Sequence, residues 1–202
     1  MTIEELYEKL NSPGFQDTEN GDIFYNFFIY QYPAEREYEI REHIRVFKEN
    51  LIRPTSYVDV LALDLFEAFC DFLKQKLFLK KPMLDYLLDK ELKSPDNTSA
   101  IEETLRRNAH SEEFLKYLHK RILEHIKIED DKKRPYVFLY GVGSMYPYLR
   151  VNELLAQYEE YNETGKYKIL VFYPGHREQN SFKLFDSLED HHTYRATLLI
   201  ND

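Results

Sequence analysis

The sequence predicts an α/β fold: a mostly parallel central sheet of about five strands flanked by helices, with a helical insertion. Three observations lead there. Short runs of aromatic and β-branched residues alternate with amphipathic helical stretches, the order that gives right-handed crossovers and a parallel sheet. The first strand candidate, Ile23 to Tyr30, is mostly apolar on both faces, as a strand covered on both sides must be. One block without strands, about 66–130, interrupts the alternation. The chain 1–202 is therefore read as a single α/β domain carrying that block as an insertion.

Thr2 to Leu10 predicts a short helix, with Ile3, Leu6, Tyr7 and Leu10 at helical spacing and Thr2 with Glu5 as a capping box. Asn11 to Asp22 collects turn formers and reads as a loop. Ile23 to Tyr30 suits an interior strand. Pro33 then opens a helix whose first turns hold Glu35, Glu37 and Glu39, favourable at the positive end of the helix dipole. Its apolar face is Ile40, Ile44, Phe47 and Leu51, and Pro54 stops it.

Tyr57 to Leu65 predicts the second strand, followed by a helix from Phe66 to about Leu79 and another from Met83 to Leu92. Ser99 to about Lys127 reads as two helices with Ser111 as an N-cap between them. Tyr136 to Tyr140 is the third strand; Val151, Leu154, Leu155 and Tyr158 mark the next helix, which ends near the turn at Asn162 to Gly165. Lys166 to Tyr173 is the fourth strand, closed by Pro174–Gly175. Ser181 to Leu188 is assigned to a short helix and Tyr194 to Ile200 to a last strand.

Composition narrows the function. Aromatic residues make up 15% of the 202 residues, with 17 Tyr and 14 Phe, and only 6 Gly and 8 Pro are present. That balance excludes disorder and low-complexity repeats. The net charge of −9 disfavours direct nucleic-acid binding, which needs a positive field. A single cysteine, Cys70, excludes an internal disulfide and a thiolate cluster. The acidic N-terminus lacks the basic start of a signal peptide, and no apolar run approaches the roughly 20 residues of a membrane span. The expected location is cytoplasmic, with no membrane association.

Candidate chemistry concentrates at two strand ends. In Phe138 to Arg150 a strand runs into Gly141-Val142-Gly143-Ser144, with Tyr146, Pro147 and Arg150 beyond. Ligands of open α/β sheets bind outside the carboxyl ends of strands. The glycines there would let backbone approach a phosphate, Ser144 would donate a hydrogen bond and Arg150 would clamp an oxygen. The lysine of a phosphate loop and the third glycine of a dinucleotide fingerprint are absent. The second cluster, Tyr173, Pro174, Gly175, His176 and Arg177, follows another strand, and Arg195 lies near the last one. No nucleophile accompanies His176, so no complete catalytic set is found, and neither a metal nor a cofactor is expected. Asp64 at the second strand end reads as a helix-capping or solvated carboxylate. Lys116, Lys120, Arg121 and Lys127 form a local basic face on the insertion.

The segments IFYNFFIYQYPAEREYEIREHI, YVFLYGVGSMYPYLRVNELL, KILVFYPG, SFKLF and the closing YRA carry a family resemblance. Together they resemble the BrxB family, the B proteins of BREX phage-resistance systems, from about residue 20 to the end, with the middle block contributing little. The matching positions are Gly141, Gly143, Ser144, Pro147, Arg150, Pro174, Gly175, Phe185, Tyr194 and Arg195. His176–Arg177 departs from the small or acidic continuation expected after Pro-Gly.

The resemblance implies a prokaryotic antiviral protein working beside a large ATPase, a DNA methyltransferase and an alkaline-phosphatase-like protein. The reading is a non-enzymatic adaptor or assembly component that binds other proteins of the system through the two strand-end loops, with Tyr146, Tyr148 and Tyr173 as anchors. The alternative is a nucleotide- or phosphate-binding domain with a degenerate phosphate loop.

Overall fold

Apolar alternation along the strands decides which side of the sheet each helix covers. The computed structural model describes residues 1–16, 27–51, 58–126, 134–161, 166–178, 181–190 and 197–198. The chain opens with α1 (Ile3–Asn11) and α2 (Pro13–Gln16). The capping box at Thr2 is formed: its hydroxyl accepts from Glu5 N–H at 3.2 Å, and the Glu5 carboxylate accepts from Thr2 N–H at 2.7 Å. Then come β1 (Phe27–Tyr32), a 3-10 turn at Ala34–Arg36 and α3 (Glu37–Leu51). β2 (Val58–Asp64) leads directly into α4 (Leu65–Gln75).

A small hairpin, β3 (Leu77–Phe78) with β4 (Lys81–Pro82), precedes α5 (Met83–Lys93), α6 (Ser99–Ala109) and α7 (Glu112–Ile126). Ser111 caps α7 as expected, its hydroxyl accepting from Phe114 N–H at 3.2 Å. The rest of the chain gives β5 (Arg134–Tyr140), a 3-10 turn at Val142–Met145, α8 (Val151–Tyr158) and a 3-10 turn at Glu159–Tyr161. It closes with β6 (Lys168–Glu178), β7 (Ser181–Leu184), β8 (Leu188–Asp190) and β9 (Thr197–Leu198).

The sheet order is β2-β5-β6-β1-β9, and every junction along it is parallel. The expected α/β class and mostly parallel sheet are therefore present. β7 pairs antiparallel with the end of β6, and β8 with β7. On one face, Phe28, Tyr30, Tyr32, Tyr136, Phe138, Leu170 and Phe172 pack with Ile3, Leu6 and Leu10 of α1 and with Ile40, Ile44, Phe47 and Leu51 of α3. On the other, Phe27, Ile29, Val137, Leu139, Ile169, Val171 and Tyr173 pack with apolar residues from α4 through α8. The period of two along each strand produces this division. The helices between β2 and β5 share the core of the second face with the sheet.

Four assignments change. Within the loop read at Asn11 to Asp22, Asn11 closes α1 and Pro13–Gln16 form α2. The helix placed at Phe66 to about Leu79 ends at Gln75, and Leu77 to Pro82 form the β3–β4 hairpin instead. The fourth strand does not stop at Pro174–Gly175 but runs on to Glu178. Pro174 pairs with Tyr32, the last residue of β1, so its missing N–H falls where that ladder ends. Ser181 to Leu188 is no helix: Phe182 and Leu184 alternate onto the core face of β7, and Phe185 and Asp186 take left-handed backbone (φ 54° and 60°) to turn into β8. The strand residues Ile23 to Asn26, the stop at Pro54, the turn at Asn162 to Gly165 and the strand residues Tyr194 to Ala196 lie outside the described residues.

Candidate functional site

The carboxyl ends of β1, β2, β5 and β6 share one edge, because these strands are mutually parallel. β1 connects to α3 on one face while β2 and β5 lead to helices on the other, so this edge includes a change of side, the usual ligand position in open α/β sheets. Two groups of side chains meet here.

The first is a charged chain. Tyr32 at the end of β1 donates its hydroxyl to Glu37 at the start of α3. The other oxygen of Glu37 accepts from Arg41 Nε at 2.8 Å, one helical turn on. Arg41 Nη1 donates to Asp64 Oδ2 at 2.6 Å, and its guanidinium lies over the Tyr140 ring, 5.2 Å from the centroid. Asp64 Oδ1 accepts from the N–H groups of Phe66 and Glu67 at 3.0 and 3.1 Å, capping α4. The helix-capping role read for Asp64 is thus what the structure shows. Burial, and then the Glu37 carboxylate, push the Tyr32 phenol well above its ordinary range. Burial alone would lower the Arg41 guanidinium, yet the carboxylates of Glu37 and Asp64 hold it above its usual value.

The second group is the set of family-matched residues. Gly141 has φ +68°, and a Cβ there would meet the Asp64 carboxylate oxygens at 2.7 and 2.8 Å. A Cβ at Gly143 would strike the Phe185 ring at 2.5 Å and Pro174 at 3.3 Å. At Gly175 (φ +151°) the carbonyl oxygen of Lys183 stands 2.0 Å from the Cβ position. The glycines therefore admit protein atoms: a carboxylate, a ring and a carbonyl. Phe185, 40% exposed, covers Gly143 from the β7–β8 turn, and its N–H donates to Pro174 O at 2.9 Å. The segments 141–150, 174–177 and 182–186, separate in sequence, form one surface.

The individual candidates divide. Ser144 and Pro147 are exposed, and Tyr146 and Arg150 are partly so, the Arg150 guanidinium lying 5.7 Å from the Tyr146 ring centroid. The Tyr146–Pro147 peptide is cis. His176 is partly exposed on β6 and its Nδ1 lies 2.5 Å from Asp186 Oδ1. Arg177 is exposed beside it. Tyr173 is 1% exposed and packs on Phe182, ring centroids 5.4 Å apart, so it is a core residue and not the surface anchor expected of it. The turn 142–145 is a 3-10 helix with Val142 and Met145 buried, and α8 starts only at Val151. The glycine turn consequently does not open directly into an α-helix N-terminus, as the phosphate reading assumed. Tyr194 and Arg195 lie outside the described residues.

Neither Arg41 nor Tyr32 is singled out by the sequence, in which Glu37 reads only as a carboxylate favourable to the helix dipole. The Glu37–Arg41 spacing of four was the available signal, but nothing in it pointed across to Asp64. Elsewhere, His119 Nδ1 is 3.0 Å from the Tyr158 hydroxyl, while His125 Nε2 is 3.0 Å from Asp59 Oδ2 but out of line for a hydrogen bond. The basic face on α7 is locally neutralised: Lys116 meets Glu112 at 2.7 Å, Lys120 meets Glu124 at 3.7 Å, and Arg121 lies over Tyr117. Lys127 falls outside the described residues. Among the described residues, no helix is long and apolar enough to cross a membrane.

The family model described as "BREX protein BrxB" matches residues 61–199, a span that takes in the helical block as well as both glycine segments. A "BREX protein BrxB" of Bacillus cereus (strain H3081.97) is 24% identical over 98% of this chain and 96% of its own length. One of Escherichia coli O9:H4 (strain HS) is 20% identical over 99% of this chain and 90% of its own. No solved structure matches the chain. The helical block thus takes part in a likeness that the sequence segments had placed mainly at the two ends. The chain belongs to the BrxB family and is a component of a BREX antiphage defence system.

Proposed function

We propose that the chain is a non-enzymatic adaptor, holding other proteins of its BREX system against the carboxyl edge of the sheet. One observation carries this reading: the glycines that would admit a phosphate are filled by the chain's own atoms, Asp64 at Gly141 and Phe185 at Gly143. A carboxylate at the turn repels an anion, and the nearby Arg41 is already engaged by Asp64 and Glu37. What remains outward is a mixed surface of Ser144, Tyr146, Pro147, Arg150, His176, Arg177 and Phe185. Partly exposed aromatics beside arginines are the composition of protein–protein contact surfaces. Partners in this reading are the methyltransferase, the alkaline-phosphatase-like protein or the ATPase of the same system.

The test is co-purification of the tagged chain with those proteins, comparing wild type with Arg150→Glu and Ser144→Arg. Both residues reach solvent, so the variants are expected to fold and to lose the complex. Retention of both the complex and phage protection by the two variants overturns the surface assignment. Calorimetric titration with ATP and GTP runs beside it; binding abolished by Arg150→Glu would favour the phosphate-site alternative.

A further inference from the structure

The β3–β4 hairpin, at the far end of α4 from Asp64, exposes apolar side chains that the core does not use. Leu77 is 69% exposed and Leu79 78%. The Phe78 ring rests on Tyr86 of α5, centroids 4.7 Å apart, which fixes the hairpin while leaving the two leucines in solvent. Leu79 and Lys80, the two turn residues, have φ of 50° and 66°. A two-residue turn of that hand favours Asn-Gly, and a large side chain in the left-handed region is strained. A leucine is therefore held outward in a strained position without a packing return, a local conflict typical of functional surfaces.

Charge singles out the same tip. Residues 74–81 contain four lysines and no carboxylate; against −9 for the whole chain, that +4 leaves −13 elsewhere. Lys74, Lys76 and Lys81 are paired with Asp71, Glu113 and Asp89, which leaves Lys80, exposed at the turn itself, as the outward cation of the tip among the described residues.

We infer that this tip is a second docking element, inserting Leu77 and Leu79 into an apolar pocket with a carboxylate rim on another protein of the same defence system. At a screening length of about 8 Å a carboxylate on a pocket rim engages that one cation, whereas a polyanion needs several. An anionic bilayer or a nucleic acid is an extended polyanion and would also face the acidic remainder of the chain. The inference rests on the adaptor reading in one respect, that the partner belongs to the same system; the surface is a different one.

The experiment uses the full chain co-purified with the other proteins of its system. Leu79→Asn relieves the backbone, since asparagine tolerates the left-handed region, and is expected to raise the melting temperature by about 2 °C. The same substitution is expected to weaken the complex by about tenfold or more, as removal of a buried anchor does. Lys80→Glu weakens it too and reduces its salt dependence. A photo-crosslinker at Leu77 is expected to attach to one of the co-purified proteins, at a peptide containing both apolar residues and carboxylates.

A complex of unchanged affinity in Leu79→Asn overturns the inference. So does crosslinking only to a second copy of the chain, or binding instead to phosphatidylserine–phosphatidylcholine vesicles or to duplex DNA. Arg150→Glu separates the two readings. A complex lost in Arg150→Glu but intact in Leu79→Asn leaves the adaptor reading standing and removes this one, and the reverse result removes the carboxyl-edge assignment.

Discussion

Replacing Gly175 with alanine tests the arrangement that brings the family-matched segments together. The Cβ would sit 2.0 Å from the carbonyl oxygen of Lys183, with the Lys183 carbonyl carbon at 3.0 Å. Carbon and oxygen rest about 3.3 Å apart or more, so β7 must retreat by roughly 1.3 Å. That separation breaks the pairings of Gly175 with Leu184 and of His176 with Lys183. It also loosens Phe182 and Leu184 from the core, including the Phe182 ring on Tyr173.

Backbone strain at φ +151° contributes about 1–3 kcal/mol, and partial loss of the two buried side chains about 2 kcal/mol more. The expected destabilisation is about 3–5 kcal/mol, which for a chain of this size lowers the melting temperature by roughly 6–20 °C. Urea and thermal unfolding measure it. Limited trypsin digestion adds a local readout, because Lys183 lies on the loosened strand. Gly14→Ala is the control: nothing lies within 4 Å of its Cβ position, and a change under about 0.5 kcal/mol is expected. Unchanged stability together with unchanged cleavage at Lys183 in Gly175→Ala would refute the hairpin packing described here.

Two further outcomes follow from the same edge of the sheet and its core. Arg41→Met leaves the Asp64 carboxylate, whose side chain is 4% exposed, without its cation. Because Asp64 keeps its two capping hydrogen bonds and Arg41 is itself partly solvated, the expected cost is about 2 kcal/mol in urea unfolding, and Asp64→Asn in the same chain should recover part of it. A fully additive double mutant would show that the pair is not coupled. In alkali, burial holds the phenols of Tyr136 and Tyr32 protonated beyond their ordinary value of 10.0, and Glu37 adds to the effect at Tyr32. The unfolded chain releases those protons first, so stability is level below about pH 10 and falls above it by up to ~1.4 kcal/mol per pH unit for each phenol. Tyr136→Phe should make the decline shallower, measured by unfolding as pH is raised; an unaltered slope removes Tyr136 from the account.

The sequence by itself determined the elements whose signal is local. Thr2 with Glu5 specified a cap, Ile40, Ile44, Phe47 and Leu51 specified a helix face, and Ser111 marked the break between two helices. Each depends on contacts within a few residues, which spacing records directly. The helix/strand order in turn implied the parallel sheet, and the glycine-containing strand ends carried the family likeness.

Tertiary structure decided where the period was ambiguous or the partner distant. In Ser181 to Leu188, two turns of helix and a short hairpin both place apolar residues inward, and pairing with β6 settles it as a hairpin. Pro174–Gly175 resembles a strand terminator, yet β1 ends beside the proline and the glycine accepts a close carbonyl, so the strand continues. Tyr173 looked like a surface anchor until the sheet buried it. The Arg41–Asp64 pair joins residues 23 positions apart, and Phe185 meets Gly143 across two strands. No spacing rule encodes such contacts, because they exist only once the parallel strands have aligned their carboxyl ends.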